Sequence, residues 1–124
     1  MKILIAGSRT LTEPSYIGHL IDQAFAALPT PSVNAVIHGG AKGVDLIAHD
    51  WAKKHGIPVE VYAADWGRFG KAAGHRRNVV MVDRCDAAVV IWDGQSKGTR
   101  HTIELLTASG KPFVVVSTGG RAEE

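Results

Sequence analysis

Short apolar runs alternate with longer amphipathic segments along the 124 residues of the chain. The runs are nearly continuous in Val, Ile and Ala, as expected for strands that are covered on both faces. Strands that alternate with helices in this way are typical of a parallel α/β sheet. The predicted strands cover residues 3–6, 33–37, 58–62, 87–92 and 112–116.

Four helices are predicted between these strands. The first follows the i, i+3, i+4, i+7 template from Ile17 to Leu28, and its start is placed near Thr12 and Pro14. The second has an inner stripe from Val44 to Ala52, and the fourth covers residues 98–109. The third, about residues 72–84, contains "VVMV", which alone also suits a strand. We interpret it as a helix because two parallel strands need a crossover between them.

The pattern therefore predicts one Rossmann-like domain over residues 1–118, a three-layer α/β sandwich with about four helices. The parallel sheet is expected to have five strands in the order 3-2-1-4-5. The last segment, residues 119–124, is expected to be a flexible tail.

Composition excludes several classes of protein. A net charge of +2 gives no general basic field of the kind that favours nucleic acid. Basic residues cluster locally, at positions 71–77 and 97–101, which suits a small anionic ligand better. The single cysteine, Cys85, excludes an internal disulfide and is interpreted as a small buried hydrophobe. No apolar run reaches the roughly 20 residues needed to span a bilayer. The first apolar run is read as a strand instead of a secretion signal, so a cytoplasmic location is expected.

Glycine and basic residues follow the predicted strands. In such a sheet, ligands bind beyond the carboxyl ends of the strands. Glycines let backbone N–H groups approach an anion, and a helix N-terminus adds a partial positive charge. The candidate ligand-binding residues are Gly7, Ser8, Arg9, Gly39, Gly40, Lys42, Gly43, Asp45, Trp66, Arg77, Asn78, Gly98, Thr99 and Arg100. Guanidinium groups can pair with phosphate oxygens, and Trp66 can stack on a base.

Structural interpretations of the same residues remain open. A glycine pair between a strand and a helix is often only a turn, and "GGAKGV" meets neither common nucleotide motif. Asp45 can serve simply as a carboxylate in the first turn of its helix. The histidines at 19, 49 and 55 are expected to be solvated, and Trp51 and Trp92 to pack internally. No spacing suits metal ligands, so neither a metal nor another cofactor is predicted.

Five segments together resemble a known family. "GSRT", "HGGAKGVD", "ADW", "AGHRRNVVMV" and "KGTRHTIE" look like the YspA-type branch of the SLOG superfamily. That superfamily also includes the Lonely-guy phosphohydrolases and the DNA-processing proteins. The resemblance implies a Rossmann-like domain that binds a nucleoside phosphate or an ADP-ribose relative, in a chain that forms a homodimer or a higher homo-oligomer. The implied phosphate and ribose cradle consists of Gly7, Ser8, Arg9, Gly39, Gly40, Gly43, Gly98 and Thr99.

The catalytic pattern of the Lonely-guy branch is incomplete in this chain. That branch has an Arg-Lys pair three residues before a Met, and here Asn78 stands in place of the Lys after Arg77. Its glycine loop ends in a Glu, and the matching position here is Thr102. Glu104 lies two residues further on, about 200° around the helix, so it is expected on the solvated side.

Three functions follow from these observations. The first is a binding module that captures or senses a nucleotide-derived small molecule. The second is a hydrolase or transferase acting on an N-glycosidic or phosphate bond, with Arg77, Asp45 and Asp65 as the candidates for catalysis. The third is single-stranded nucleic-acid binding, which low net charge and few aromatic residues make the least favoured.

Overall fold

The computed structural model of the protein describes residues 1–29 and 32–118. Its five strands are β1 (Lys2–Gly7), β2 (Ala35–His38), β3 (Val59–Val61), β4 (Ala87–Trp92) and β5 (Phe113–Ser117). They form one parallel sheet in the order β3-β2-β1-β4-β5, which confirms the predicted order. The expected tail, residues 119–124, lies outside the described residues.

The helices are α1 (Pro14–Ala27), α2 (Val44–Lys54), α3 (Trp66–Phe69), α4 (Ala73–Arg84) and α5 (Lys97–Ser109), with a 3-10 turn at Gly70–Ala72. The four longer helices are the predicted ones, and "VVMV" is helical as expected. The short α3 and the 3-10 turn were not predicted. Four residues are too few to show an apolar period, so this segment read as a loop.

Two apolar cores lie on opposite faces of the sheet, which confirms the three-layer arrangement. Alternate residues of a strand point to opposite faces. Ile3 and Ile5 accordingly pack with α1 and α2, whereas Leu4 packs on the other side with α4 and α5. The predicted buried cysteine, Cys85, belongs to this second core.

The ends of two helices show how local chemistry sets their bounds. Glu13, and not Thr12, is the N-cap of α1, because its carboxylate accepts the N–H groups of Ser15 and Tyr16 at 2.8 and 3.2 Å. The second helix is α4, and Lys111 binds its C-terminal end. The ammonium group of Lys111 donates to the carbonyls of Val82, Asp83 and the cap residue Cys85 at 2.7–2.9 Å. A cation at this position also complements the helix dipole.

No helix within the described ranges combines the length and the apolar character that crossing a bilayer requires.

Candidate functional site

A cavity of about 300 Å³ opens at the carboxyl ends of the central strands. It lies where the strand order reverses, between β1 and β4, which is the usual ligand position in an open α/β sheet. We call it the first cavity. Its lining consists of Ala6, Gly7, Arg9, Ala41, Asp45, Arg77, Asn78, Met81, Ser96, Gly98, Thr99 and Thr102.

Seven of the predicted ligand-binding residues line this cavity. They come from the end of β1 and the loop after it, from the first turns of α2 and α5, and from α4, although they are distant along the chain. The seven are Gly7, Arg9, Asp45, Arg77, Asn78, Gly98 and Thr99.

Other predicted residues do not line the first cavity. Ser8, Gly39 and Gly43 are buried, and Gly40 and Lys42 are exposed on the β2 loop. Trp66 is 53% exposed on α3. Arg100 points to solvent, where its Nε lies 3.7 Å from the carboxylate of Glu104. Asp65 lines a separate cavity beside α3.

Asp45 organises the loop that follows β2. Its Oδ2 accepts the N–H groups of Gly39 at 3.1 Å and Ala41 at 3.2 Å. The side chain is buried, and this desolvation raises the pKa of Asp45 to about 6, although the two N–H donors and the nearby charges of Arg77 and Arg9 act in the opposite direction. Asp45 is thus both a turn-stabilising residue and a carboxyl group in the cavity wall with a pKa close to neutrality.

Arg77 is held in place from two sides. Its Nη1 donates to the carbonyl oxygen of Gly39 at 2.8 Å, and its Nε donates to Oδ1 of Asn78 at 3.0 Å. A Cβ at position 39 would overlap Nη1 of Arg77 and would lie 3.1 Å from Oδ2 of Asp45. Glycine at position 39 is therefore what lets the guanidinium group reach the carbonyl.

Gly43 allows the β1 and β2 loops to pack closely. Its φ of +76° is in a region that favours glycine, and a Cβ there would lie 2.5 Å from the carbonyl oxygen of Ser8 and 2.7 Å from that of Arg9. Helix α2 starts at the next residue, and its first N–H, from Val44, donates to the same Ser8 carbonyl at 3.4 Å. Gly43 thus serves the close packing of these two loops.

Asp93 ties the β1 loop to the β4 loop. Its carboxylate accepts the hydroxyl of Thr10 at 2.7 Å and the N–H groups of Gln95 and Ser96 at 2.8 and 2.9 Å. Its own N–H donates to Oγ of the buried Ser8 at 3.0 Å. Desolvation raises the pKa of Asp93, but the hydrogen bonds outweigh it and lower the value to about 2. A carboxylate that stays ionised braces this side of the cavity, a role the sequence did not suggest.

The N-terminus of α5 points its first turn at the cavity. Ser96 is the N-cap, and its Oγ accepts the N–H of Thr99 at 3.3 Å. The N–H of Arg100 is the first to donate to a backbone carbonyl of this helix, that of Ser96, so the earlier N–H groups of Lys97 and Gly98 have no partner within the helix. Trp92, expected only to pack, also holds this turn because its Nε1 donates to the Ser96 carbonyl at 3.1 Å.

A pair of histidines, His38 and His49, supports the β2 loop, and the sequence analysis did not predict it. The buried ring of His38 accepts the N–H of Gly40 at its Nδ1, at 3.0 Å, so its Nε2 carries the proton that faces Nδ1 of His49, also at 3.0 Å. Burial, and then the neighbouring His49, lower the pKa of His38 to about 4. His49 is half-buried, so the expectation that it is solvated was wrong. His19 and His55 are exposed, as predicted.

Asn78 links α4 to α5 at the cavity wall. Its Nδ2 lies 3.4 Å from the Gly98 carbonyl and 3.3 Å from Nδ1 of His101. The ring of His101 stacks on that of His75 at a centroid distance of 4.1 Å. Burial, followed by His75, lowers the pKa of His101, while Glu104 raises it. Asn78 therefore takes part in a hydrogen-bonded contact between the two helices.

Within residues 1–29 and 32–118, no three His, Cys, Asp or Glu side chains are grouped so that they could hold a metal ion.

Sequence comparison with known proteins identifies the family of the chain. A sequence profile of the YspA, cpYpsA-related SLOG family (YAcAr) matches residues 1–69, which include β1, β2 and the loops that follow them. The Gene 61 protein of Mycobacterium phage D29 is 34% identical over 119 residues, covering 91% of this chain and 94% of the phage protein. No solved structure gives a significant match. The chain therefore belongs to the YspA, cpYpsA-related SLOG family.

Proposed function

We propose that this protein binds a nucleotide-derived small molecule, such as a nucleoside phosphate or an ADP-ribose relative, and acts as a capture or sensing module. The phosphate group lies in the first cavity. The observation that carries the proposal is the convergence of two guanidinium groups, those of Arg9 and Arg77, with the N-terminal turn of a 13-residue helix, α5, on one cavity of about 300 Å³. Guanidinium groups and helix N-termini are the groups that proteins use to bind phosphate.

The arrangement favours binding over turnover. The position at which the Lonely-guy branch carries its glutamate is Thr102, whose side chain is buried in the cavity wall and donates to the Gly98 carbonyl at 3.3 Å. Glu104 is exposed and faces away. The lining therefore keeps the anion-binding groups and lacks that carboxylate.

Calorimetric titration tests the proposal. Ribose 5-phosphate, AMP and ADP-ribose are titrated into the wild type and into Arg77→Met, with Arg84→Met as the matched control at the exposed end of the same helix. A hydrogen bond to a charged group contributes about 1.5–3 kcal/mol, so Arg77→Met should weaken binding about tenfold or more. The control should bind like the wild type. No heat from any of these compounds would contradict the proposal.

A second candidate, hydrolysis at an N-glycosidic or phosphate bond, is favoured by one observation. Asp45 lines the cavity that also contains Arg77, and its pKa of about 6 suits proton transfer near neutral pH. Incubation with NAD and nucleotides, followed by chromatography, should then release free base or a sugar phosphate. Asp45→Asn should abolish that release while the protein stays folded. No turnover at high protein concentration would leave binding as the function.

A further inference from the structure

A second cavity, of about 180 Å³, adjoins the first one. Its lining is mostly apolar and aromatic, in contrast to the polar lining of the first cavity. It consists of Tyr62, Ala63, Asp65, Phe69, Ala73, Arg76, Arg77 and Val80.

Helix α4 forms a wall of both cavities. Asn78 and Met81 line the first cavity, whereas Ala73 and Val80 line the second, as the angle of about 100° between successive helical residues requires. Arg77 belongs to both linings. A molecule whose phosphate contacts Arg77 in the first cavity can therefore extend past this side chain into the second.

The second cavity presents flat surfaces. The guanidinium group of Arg76 lies over the ring of Phe69, with its central carbon 4.2 Å from the ring centroid, and that of Arg68 lies at 5.0 Å. Tyr62 is fixed by its hydroxyl, which donates to Glu60 at 3.0 Å. Planar side chains and guanidinium groups are the surfaces on which nucleobases stack.

One carboxylate interrupts the apolar lining. Asp65 caps α3, with Oδ1 accepting the N–H of Arg68 at 3.1 Å, and it borders the second cavity. An ionised carboxylate only accepts hydrogen bonds, so it favours a base that carries an amino group over one with a carbonyl in the same place.

On this geometry, and resting on the proposed function, we infer that the second cavity holds an amino-bearing nucleobase, such as adenine, of a ligand whose phosphate occupies the first cavity. The ligand class is then a nucleotide and not a bare sugar phosphate. Trp66, although predicted to stack on a base, is not part of this lining. The ring of Tyr62 and the guanidinium group of Arg76, which itself lies over Phe69, provide the flat surfaces instead.

Comparison of three ligands by calorimetry tests the inference: ribose 5-phosphate, AMP and inosine monophosphate, in which a carbonyl replaces the amino group of adenine. The wild type should bind AMP about tenfold or more tightly than ribose 5-phosphate, since stacking of one base contributes about that much. It should also prefer AMP to inosine monophosphate. Asp65→Asn, which keeps a capping side chain and can donate to a carbonyl, should reduce that second preference.

Two neighbouring residues of α4 give a matched pair of variants. Val80 lines the second cavity and Val79 does not, yet both are exposed, by 40% and 49%, so a larger side chain at either position is tolerated by the fold. Val80→Trp should remove the advantage of AMP over ribose 5-phosphate while leaving the affinity for ribose 5-phosphate unchanged. Val79→Trp should keep both affinities.

The outcomes separate this inference from the proposed function. Equal binding of AMP and ribose 5-phosphate by the wild type, or an unchanged ratio in Val80→Trp, would overturn the inference and leave phosphate binding in the first cavity intact. Failure of all three ligands to bind would overturn the proposed function, and the inference with it.

Discussion

His38 and Asp45 give the stability of this protein two opposite dependences on pH. Both side chains are buried and both bond to the loop after β2. The pKa of His38 falls from 6.5 to about 4 and that of Asp45 rises from 3.8 to about 6, in each case chiefly because burial disfavours the charged form. The two groups therefore act on folding within the same pH interval, with opposite signs.

The signs follow from proton binding. Below pH 6.5 the unfolded chain binds a proton at His38 that the folded protein does not bind until about pH 4, so acidification destabilises the fold. Between pH 6 and 3.8 the folded protein binds a proton at Asp45 that the unfolded chain does not, so acidification stabilises the fold. At about 1.4 kcal/mol per pH unit, the two effects are about 3 kcal/mol and about 2 kcal/mol between pH 7 and pH 4.

Urea unfolding at pH 7, 6, 5 and 4 measures these effects in His38→Asn and Asp45→Asn. Each variant loses packing or hydrogen bonds at every pH, so the diagnostic quantity is its free energy of unfolding minus that of the wild type, followed as pH changes. From pH 7 to pH 4 this difference should rise by about 3 kcal/mol for His38→Asn and fall by about 2 kcal/mol for Asp45→Asn.

The control is His19→Asn, at an exposed position on α1, whose curve should run parallel to that of the wild type. Parallel curves for the two buried variants as well would refute the reasoning, because burial would then not separate the pKa values of the folded and unfolded states.

Three further predictions concern single residues. Gly43→Ala should lower the free energy of unfolding in urea by about 3 kcal/mol or more, because the φ is positive and the new Cβ overlaps carbonyl oxygens of the β1 loop. Its control is Gly18→Ala, in open space on α1, which should raise the free energy of unfolding by about 0.5–1 kcal/mol. Lys111→Met should lower the free energy of unfolding by about 1.5–3 kcal/mol because three carbonyls lose a charged donor, and an unchanged melting temperature would contradict that role. Gly39→Ala should displace the guanidinium group of Arg77, an adjustable side chain, so the affinity for ribose 5-phosphate should fall more than tenfold while the melting temperature changes little. A loss of stability as large as that of Gly43→Ala would show that the backbone, and not Arg77, gives way.

The fold was predictable from continuous apolar runs and from the way in which parallel strands must be connected. The strand β4 has the predicted bounds, Ala87–Trp92, since a fully buried strand is a continuous apolar run. The helical reading of "VVMV" depended only on the need for a crossover between parallel strands. The segment around α3 carries neither signal, and its four helical residues depend on the cap that Asp65 supplies.

The candidate site was predictable at the level of loops, but less so for single side chains. Arg77 lines the first cavity and Arg100 does not, although both follow glycines in basic segments. The helical phase of α5 explains the difference, because Thr99, Thr102 and Leu106 form its buried face and leave Arg100 outside. The spacing of the apolar residues of α5, with Leu106 on the buried face, already indicated in the sequence that Arg100 lies outside that face.

Other contributors depend on tertiary contacts that have no sequence spacing. His38 and His49 are 11 residues apart, on a strand and on a helix. Thr10 and Asp93 are 83 residues apart. Such pairs become visible only once the β1, β2 and β4 loops are brought to the same edge of the sheet.

The hydrogen bonds around Asp93 have a consequence for the kinetics of association. They join the β1 loop to the β4 loop, which are far apart in the chain, so this side of the first cavity is already held in place before a ligand binds. On the proposed function, a ligand that docks against this side loses little entropy through the ordering of loops. The association rate of the proposed phosphate-bearing ligand should then depend on diffusion and on attraction to the guanidinium groups of Arg9 and Arg77, and should fall as salt screens that attraction.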